Sequence, residues 1–504
     1  VLYEKVQLRL KKAKANKLLW ESHLRECYEY AMPARNTIDK YSPGQKKRNR
    51  VFDSTAESAL EDFANRMTAL LVPSTVQWME LKAGTEIPKE EHEKINKQLE
   101  EMNDIVFAHI NSSNFTSQIN ESFLDLGIST GAIIVEEGDG IQSGLNFRSI
   151  SLSELILERS SLGIVETVFR EFKIPVQDIK ASWPKVKLTE DIEELIQKDP
   201  TKDIALVEGI IKEDTGKFRL VLLNTKAKGV LYEEPLDYNP YVIFRESSIP
   251  GEVYGRGRVM RCLNDIKTLN RMVEDYLRGL SFQANPIFTA TDDGIINPYT
   301  IRIEPGIVAP VGSNDNNNPT LRALQLSGSP QLMDFAITKY QDSIKQTMMS
   351  KPFGNIEDTP VRTATEMSIR NADLAQTSLS SSTRIQTELL ERLIAASVYI
   401  LKKQGKLPDI KINGREVKLK FVNPASRAQN ENELAAYGRF GEMMAGFDPA
   451  VVAQKIKIED IPVSIYDALG LPEKNKRDDK EAAEMQKQQA QQQEAALAQQ
   501  QGAV

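Results

Sequence analysis

The stretch from Pro250 to Gly405 constrains the fold most. Two amphipathic helical patterns flank a turn-rich insert of roughly forty-five residues, far beyond the usual connection length of a compact domain. The first helix follows Gly255-Arg-Gly257. Val259, Ile266, Val273 and Leu280 recur every seven residues with Leu263, Leu269 and Tyr276 or Leu277 between them, while Arg258, Arg261, Asp265, Lys267, Arg271, Glu274, Asp275 and Arg278 charge the other face. From Arg258 to Phe282 the rod would be about 37 Å long. Asn285-Pro286 ends it. The insert carries turns at Asp292-Asp-Gly294, Asn297-Pro298, Pro305-Gly306 and Gly312 to Pro319, with short β-type runs at Ile287–Ala290, Ile301–Ile303 and Ile307–Ala309. A second helix opens with Ser329 as N-cap and Pro330 at its first position. Met333, Ile337, Tyr340, Ile344 and Met348 form its stripe, and Pro352 and Gly354 close it. These features describe a small strand module projecting on a two-helix stalk.

A third helix of about forty residues begins at a capping box, Thr363-Ala-Thr-Glu366, and ends with Lys402 and Lys403, then Gly405, then Pro408. The polar run Ser378–Thr383 is the place for a kink or an exposed stretch.

The rest of the chain reads as an α+β body, mainly helical. Helices are expected at residues 3–31, from a Ser54/Glu57 capping box to Leu71, at Pro88–Ile110 and at Thr116–Leu126. Strands are expected at Ala132–Glu137, Leu145–Ile150, Ile164–Phe172, Ile204–Ile211, Phe218–Leu223 and Tyr241–Arg245. Past residue 408, Ile410–Val422 reads as a hairpin turning at Asn413-Gly414, followed by helices near Gln429–Ala445 and Pro449–Gln454. The tail from Glu473 becomes Gln/Ala-rich and reads equally as a disordered tail or as a helix stacked with identical copies.

Composition excludes several classes. At 504 residues the chain should divide into two to four modules, and no run of about eighteen apolar residues provides a membrane span. Residues 1–30 read as a charged amphipathic helix, not a signal peptide. Cys27 and Cys262 are expected to be reduced thiols. With 64 Lys and Arg against 71 Asp and Glu, the net charge of −7 argues against tight gripping of nucleic acid over the whole surface, but not against a wall that DNA slides past. The first fifty residues are locally basic, and Lys46, Lys47, Arg48 and Arg50 read as a solvated loop or a contact to an acidic partner.

No catalytic constellation emerges. His23, His92 and His109 are not spaced as ligands, no Gly-x-x-x-x-Gly-Lys-Ser/Thr loop exists, and Gly255-x-Gly257 lacks the third glycine of a dinucleotide site. No enzyme activity, cofactor or metal is expected. A nucleic-acid enzyme with a mobile arm, or a cytosolic helical scaffold binding a partner through the 258–282 face, are the alternatives.

The order of these elements resembles the portal, or head-to-tail connector, proteins of short-tailed bacteriophages. Local stretches are similar too: Met32-Pro-Ala-Arg35, Val51-Phe-Asp-Ser-Thr-Ala56 leading to Leu71-Val-Pro73 and Trp78, Tyr254-Gly-Arg-Gly257 leading to Leu269-Asn270, and Thr363-Ala-Thr-Glu366. The resemblance implies a homo-oligomeric ring of twelve at one capsid vertex, passing double-stranded DNA during packaging and ejection. Its partners would be the terminase large subunit, a tail adaptor, and the major capsid and scaffolding proteins. It implies a wing (1–256), first stem helix (257–282), clip (283–328), second stem helix (329–349), tunnel loop (350–363), long wing helix and hairpin (364–428), crown (429–472) and C-terminal barrel or tail (473–504). Lys351 and Arg362 in the tunnel loop, and then Lys339 and Lys345 in the stem, are the residues expected to meet DNA; Val259, Ile266, Val273 and Leu280 are expected to pack subunits together.

Overall fold

A computed structural model describes residues 2–38, 44, 47, 51–83, 89–160, 163–213, 215–224, 229–284, 288–290, 321–323, 330–350, 383–408, 417–421 and 437–444, with two short helical pieces at 461–462 and 465–466. Mixed helix and sheet, mainly helical, is the result. In chain order the elements are α1 (Leu2–Ala31), α2 (Thr55–Leu71), β1 (Met79–Ala83), α3 (Lys89–Asn111), α4 (Phe115–Ile128), β2 (Thr130–Glu137), β3 (Leu145–Ser149), β4 (Leu155–Arg159) and β5 (Val165–Pro175). Then come α5 (Ile179–Ser182), α6 (Glu190–Lys198), β6 (Asp203–Lys212), β7 (Phe218–Asn224), β8 (Gly229–Leu236), β9 (Tyr241–Arg245), α7 (Arg258–Ala284), β10 (Phe288–Ala290), β11 (Leu321–Ala323), α8 (Pro330–Thr347), α9 (Glu391–Lys403) and β12 (Val417–Phe421).

Strands β4 to β8 form one antiparallel meander, and its two faces are covered by different helices. Because side chains alternate along a strand, Val207, Val221 and Leu223 pack with Val6, Leu10 and Ala13 of α1, whereas Leu206 and Leu222 pack with Ile179 of α5 and Ile192 of α6. A second antiparallel sheet, β3-β2-β9, lies in the main core with α2, α4 and α9.

Most expected elements lie within two or three residues of their observed ends. Strands β1, β4, β8 and β11 and helices α5 and α6 were not anticipated. Strand β12 lies in the expected hairpin region, but its partner is β1, antiparallel, with Leu81 opposite Leu419. Asn413-Gly414 and the other hairpin strand lie outside the described residues, as do the Thr363 capping box, the helix at Pro449–Gln454, most of the crown and the whole tail. At α2 the capping box does not form. Ser54 makes no side-chain cap, and the Thr55 amide instead donates to Asp53 Oδ1 at 2.9 Å. The described part of the long helix runs from 383 to 403, with a π turn at Gln386–Leu390. It ends as expected: Gly405 adopts φ +69, and the Gly405 and Lys406 amides donate to the carbonyls of Lys402 and Leu401.

Cys27 in α1 and Cys262 in α7 are buried free thiols, and burial pushes each up to about 12. Neither is therefore a thiolate near neutral pH.

Candidate functional site at the base of the stalk

Helices α7 and α8 run antiparallel out of the body. The Arg258 Nη1 donates to the Thr347 carbonyl at 2.9 Å near the base, and Ser343 Oγ donates to Asp265 Oδ2 at 3.4 Å further along. The glycines before α7 permit its close seating. A Cβ on Gly257 would lie 2.3 Å from the Gly127 carbonyl oxygen, and one on Gly255 would lie 2.6 Å from that of Ser129. These glycines serve backbone contact, not a phosphate cradle.

Arg258 gathers the parts. Its Nε and Nη2 reach Glu246 Oε1 at 2.8 and 2.7 Å, its Nη1 caps α8, and its guanidinium lies 5.5 Å from the Phe63 ring of α2. Glu246 is nearly fully buried, and its Oε2 has no hydrogen-bond partner. The similar stretches quoted above also meet here. The Phe52 amide donates to Asn270 Oδ1 at 2.6 Å, and Gln341 Nε2 donates to Asp53 Oδ2 at 2.8 Å, so the segment before α2 bridges both stalk helices. Arg35, from Met32-Pro-Ala-Arg35, donates to the buried Asp125 at 2.9 Å, beside the Tyr28 hydroxyl at 2.6 Å from the same carboxylate. Burial pushes the Asp125 carboxyl up, and Arg35 and Tyr28 oppose it.

The segment beyond α8 is pinned before it departs. The Met349 and Ser350 amides donate to the carbonyls of Gln346 and Lys345, and Met349 itself takes φ +57, the left-handed position that glycine usually fills. Ser350 Oγ donates to Asp62 and Arg66 Nη2 donates to the Ser350 carbonyl at 2.6 Å, both from α2. After residues 351–382 the chain is held again: Glu388, in the π turn, accepts from Arg245 through its backbone amide, Nε and Nη2 at 3.0, 3.2 and 2.6 Å.

Lys351 and Arg362 lie outside the described residues. Of the four stalk positions assigned to subunit packing, Val259 and Ile266 are already buried in the chain's own core, Val273 is half-buried and Leu280 is 38% exposed. Sequence periodicity cannot distinguish these, because it reports an apolar face and not what covers it. Two exposed side chains were missed: Leu332 at 72% and Phe335 at 71% on α8. They share a face with the exposed Lys339, whereas Lys345 sits about 120° around the helix from Lys339. On the outer half of α7, Arg271 pairs with Glu274 at 3.3 Å and Asp275 at 3.1 Å, and Arg278 pairs with Glu274, leaving a neutralised charged strip opposite Val273, Leu277 and Leu280. Among the described residues no cluster of three or more His, Cys, Asp or Glu is placed to hold a metal, and no helix is long and apolar enough to cross a membrane.

The family described as bacteriophage head to tail connecting protein matches residues 4–475. The chain belongs to that family. It is therefore a portal-type connector, a structural component of a phage virion. A relative named "Probable portal protein", from Bordetella phage BPP-1, is 22% identical over 458 residues, covering 86% of this chain and 81% of that protein. Two solved structures are also similar. The neck of an empty gene transfer agent particle, computed with C6 symmetry, has a TM-score of 0.39 at 11% identity and covers 83% of this chain and 90% of that one. The virion of a native gene transfer agent particle has a TM-score of 0.40 at 11% identity, with 90% and 94% covered.

Proposed function

We propose that twelve copies of this connector form a closed ring at one capsid vertex, with double-stranded DNA passing along its axis during packaging and ejection and no catalysis by the ring itself. The observation that carries the ring is the outer stalk. Leu277 and Leu280 on α7 and Leu332 and Phe335 on α8 are exposed in one chain, on a rod too thin to hide them. Side-by-side packing of stalks covers them, and ring closure leaves no unpaired copy. The neutralised Arg271/Glu274/Asp275/Arg278 strip then suits a surface that DNA passes without sticking.

In this reading residues 1–256 are the wing, 257–282 and 329–349 the stem, 283–328 the clip, 350–363 the tunnel loop, 364–428 the long wing helix and following strand region, 429–472 the crown and 473–504 the barrel or tail. Lys351 and Arg362 touch phosphates. Lys345 is the better stem candidate, since Lys339 shares its face with Leu332 and Phe335 and belongs to the subunit contact. The clip docks the terminase large subunit and later the tail adaptor, and the wing meets major capsid and scaffolding proteins. The helical-scaffold alternative predicts a dimer or small oligomer, and membership of the head-to-tail connector family favours the ring over it.

The test is native mass spectrometry with negative-stain imaging of the wild type and of a Leu280→Asp/Phe335→Asp variant. The wild type should give a ring near twelve copies with an axial hole, and the variant should stay folded but fail to close. A ring that forms equally well in the variant would remove the outer stalk from the interface.

A further inference from the structure

A cleft of about 880 Å³ opens between β2 of the three-stranded sheet and strands β5 to β8 of the five-stranded one, with α9 and the 182–184 turn at its rim. Two aromatic pairs furnish its walls. Tyr238 and Tyr399 stand 4.7 Å apart between ring centroids, and Phe172 and Trp183 stand 6.2 Å apart. On its floor Glu208 of β6 accepts a hydrogen bond from the buried Tyr241 hydroxyl at 2.6 Å, and near the rim Glu234 accepts one from Tyr232 at 2.7 Å.

The charges of the cleft do not balance where it counts. Arg170 pairs with Glu154 at 2.8 Å, Arg148 with Glu136, and Lys403 with Glu137 at 2.8 Å. Among the described residues no ion pair within salt-bridge distance reaches Glu208 or Glu234. Glu208 is partly accessible from the cleft yet deeply set, and burial pushes its carboxyl up against the opposing effects of Tyr241 and Arg170. A cation entering from outside relieves that cost. Aromatic faces flanking a carboxylate are the recognition chemistry of a guanidinium or ammonium group on a flexible stem. The cleft is also within the size range of sites that enclose several residues or a small molecule.

We propose that this cleft binds an extended peptide segment of a partner protein through an arginine or lysine side chain, whose stem lies along the aromatic walls and whose head meets Glu208 and Glu234. No residue of α7 or α8 lines the cleft, so the contact is separate from the stalk surface assigned to ring packing.

Fluorescein-labelled nonapeptides that differ only in a central arginine, citrulline or glutamate test this by anisotropy, using the full chain in whatever assembly it forms. Citrulline keeps the shape of arginine and removes its charge. The arginine peptide should bind about tenfold more tightly than the citrulline peptide, and Glu208→Gln, which keeps an acceptor for Tyr241, should erase most of that ratio. Glu234→Gln, at an exposed position, should reduce the ratio and serves if the Glu208 variant fails to fold. Equal binding of arginine and citrulline peptides, or an arginine preference unchanged in both variants, overturns the proposal. Binding by unassembled chains that vanishes in the ring would make a second copy the occupant, and would overturn it as well.

Discussion

The Arg245–Glu388 pair yields a prediction with a calculable size. The Arg245 side chain is 3% exposed and that of Glu388 14%, so water contributes little screening. Every guanidinium N–H is engaged: Nε and Nη2 on Glu388, Nη1 on Ser248 Oγ at 3.4 Å and the Val253 carbonyl at 3.2 Å, and Nη2 also on the Gly163 carbonyl at 3.5 Å. Removing the carboxylate in Glu388→Ala strands a buried cation together with the Arg245 backbone amide, at a cost of about 3–5 kcal/mol. Removing both partners in Arg245→Met/Glu388→Met leaves the amide, two carbonyls and the Ser248 hydroxyl without these partners but no buried charge, so the double variant should lose less than the single one. Urea unfolding of unassembled chains, completed as a double-mutant cycle, measures the coupling. Native-state hydrogen exchange on residues 383–403 should show that helix opening more readily in Glu388→Ala. A cost below about 1 kcal/mol for Glu388→Ala, or strict additivity of the two single substitutions, would refute the reasoning. The pair matters because it anchors the chain soon after residues 351–382, the segment assigned to the tunnel loop and the first half of the long helix.

Other outcomes follow from single sites. Lys17 is pulled down to about 8 by burial, so between about pH 8 and 10.5 the unfolded chain binds more protons and stability rises with pH; Lys17→Met should gain about 2 kcal/mol at pH 7 and little at pH 10.5, read from urea midpoints at both values. Gly257→Ala forces a methyl group against the Gly127 carbonyl and should cost about 1–3 kcal/mol in thermal unfolding, with an unchanged midpoint counting against the close-approach reading. Lys351→Ala/Arg362→Ala should leave ring formation intact and alter DNA packaging measured in vitro, and normal packaging would remove both from the DNA path. Deleting 286–326 should leave a folded protein that cannot package DNA.

Helices were legible in the sequence where a 3.6-residue pattern ran between strong stop signals, as at α1, closed by Pro33, and α9, closed by Gly405. Strands β1, β4, β8 and β11 were not, and β1 and β8 show why. Five-residue Met79–Ala83 is stabilised by a partner far along the chain, and Glu233-Glu-Pro235 inside β8 is poor strand material that only its neighbour β7 holds in register. The Ser54/Glu57 pattern misled because Asp53, one residue earlier, is as good an acceptor and is also held by Gln341. Similarity of local stretches located the site better than physics did. Val51–Ala56 and Leu269-Asn270 proved to be in contact, but no local rule pairs Phe52 with Asn270 or Arg258 with the end of α8. The aromatic-walled cleft was invisible for the same reason, since its two sheets are assembled from strands whose partners the sequence does not name.

The pairing of Met79–Ala83 with Val417–Phe421 sets an order of events during synthesis. Roughly 340 residues separate the two strands, so at ribosomal speeds of 5–20 residues per second the first waits about 17–70 s for the second. During that interval one edge of β1 offers unpaired amides and carbonyls to any other extended chain, including the same segment on a neighbouring polysome. The stalk and everything carried on it are made inside this window. The body thus closes this sheet only after the projecting parts exist, and a truncated chain ending before residue 417 should aggregate instead of accumulating as a stable fragment.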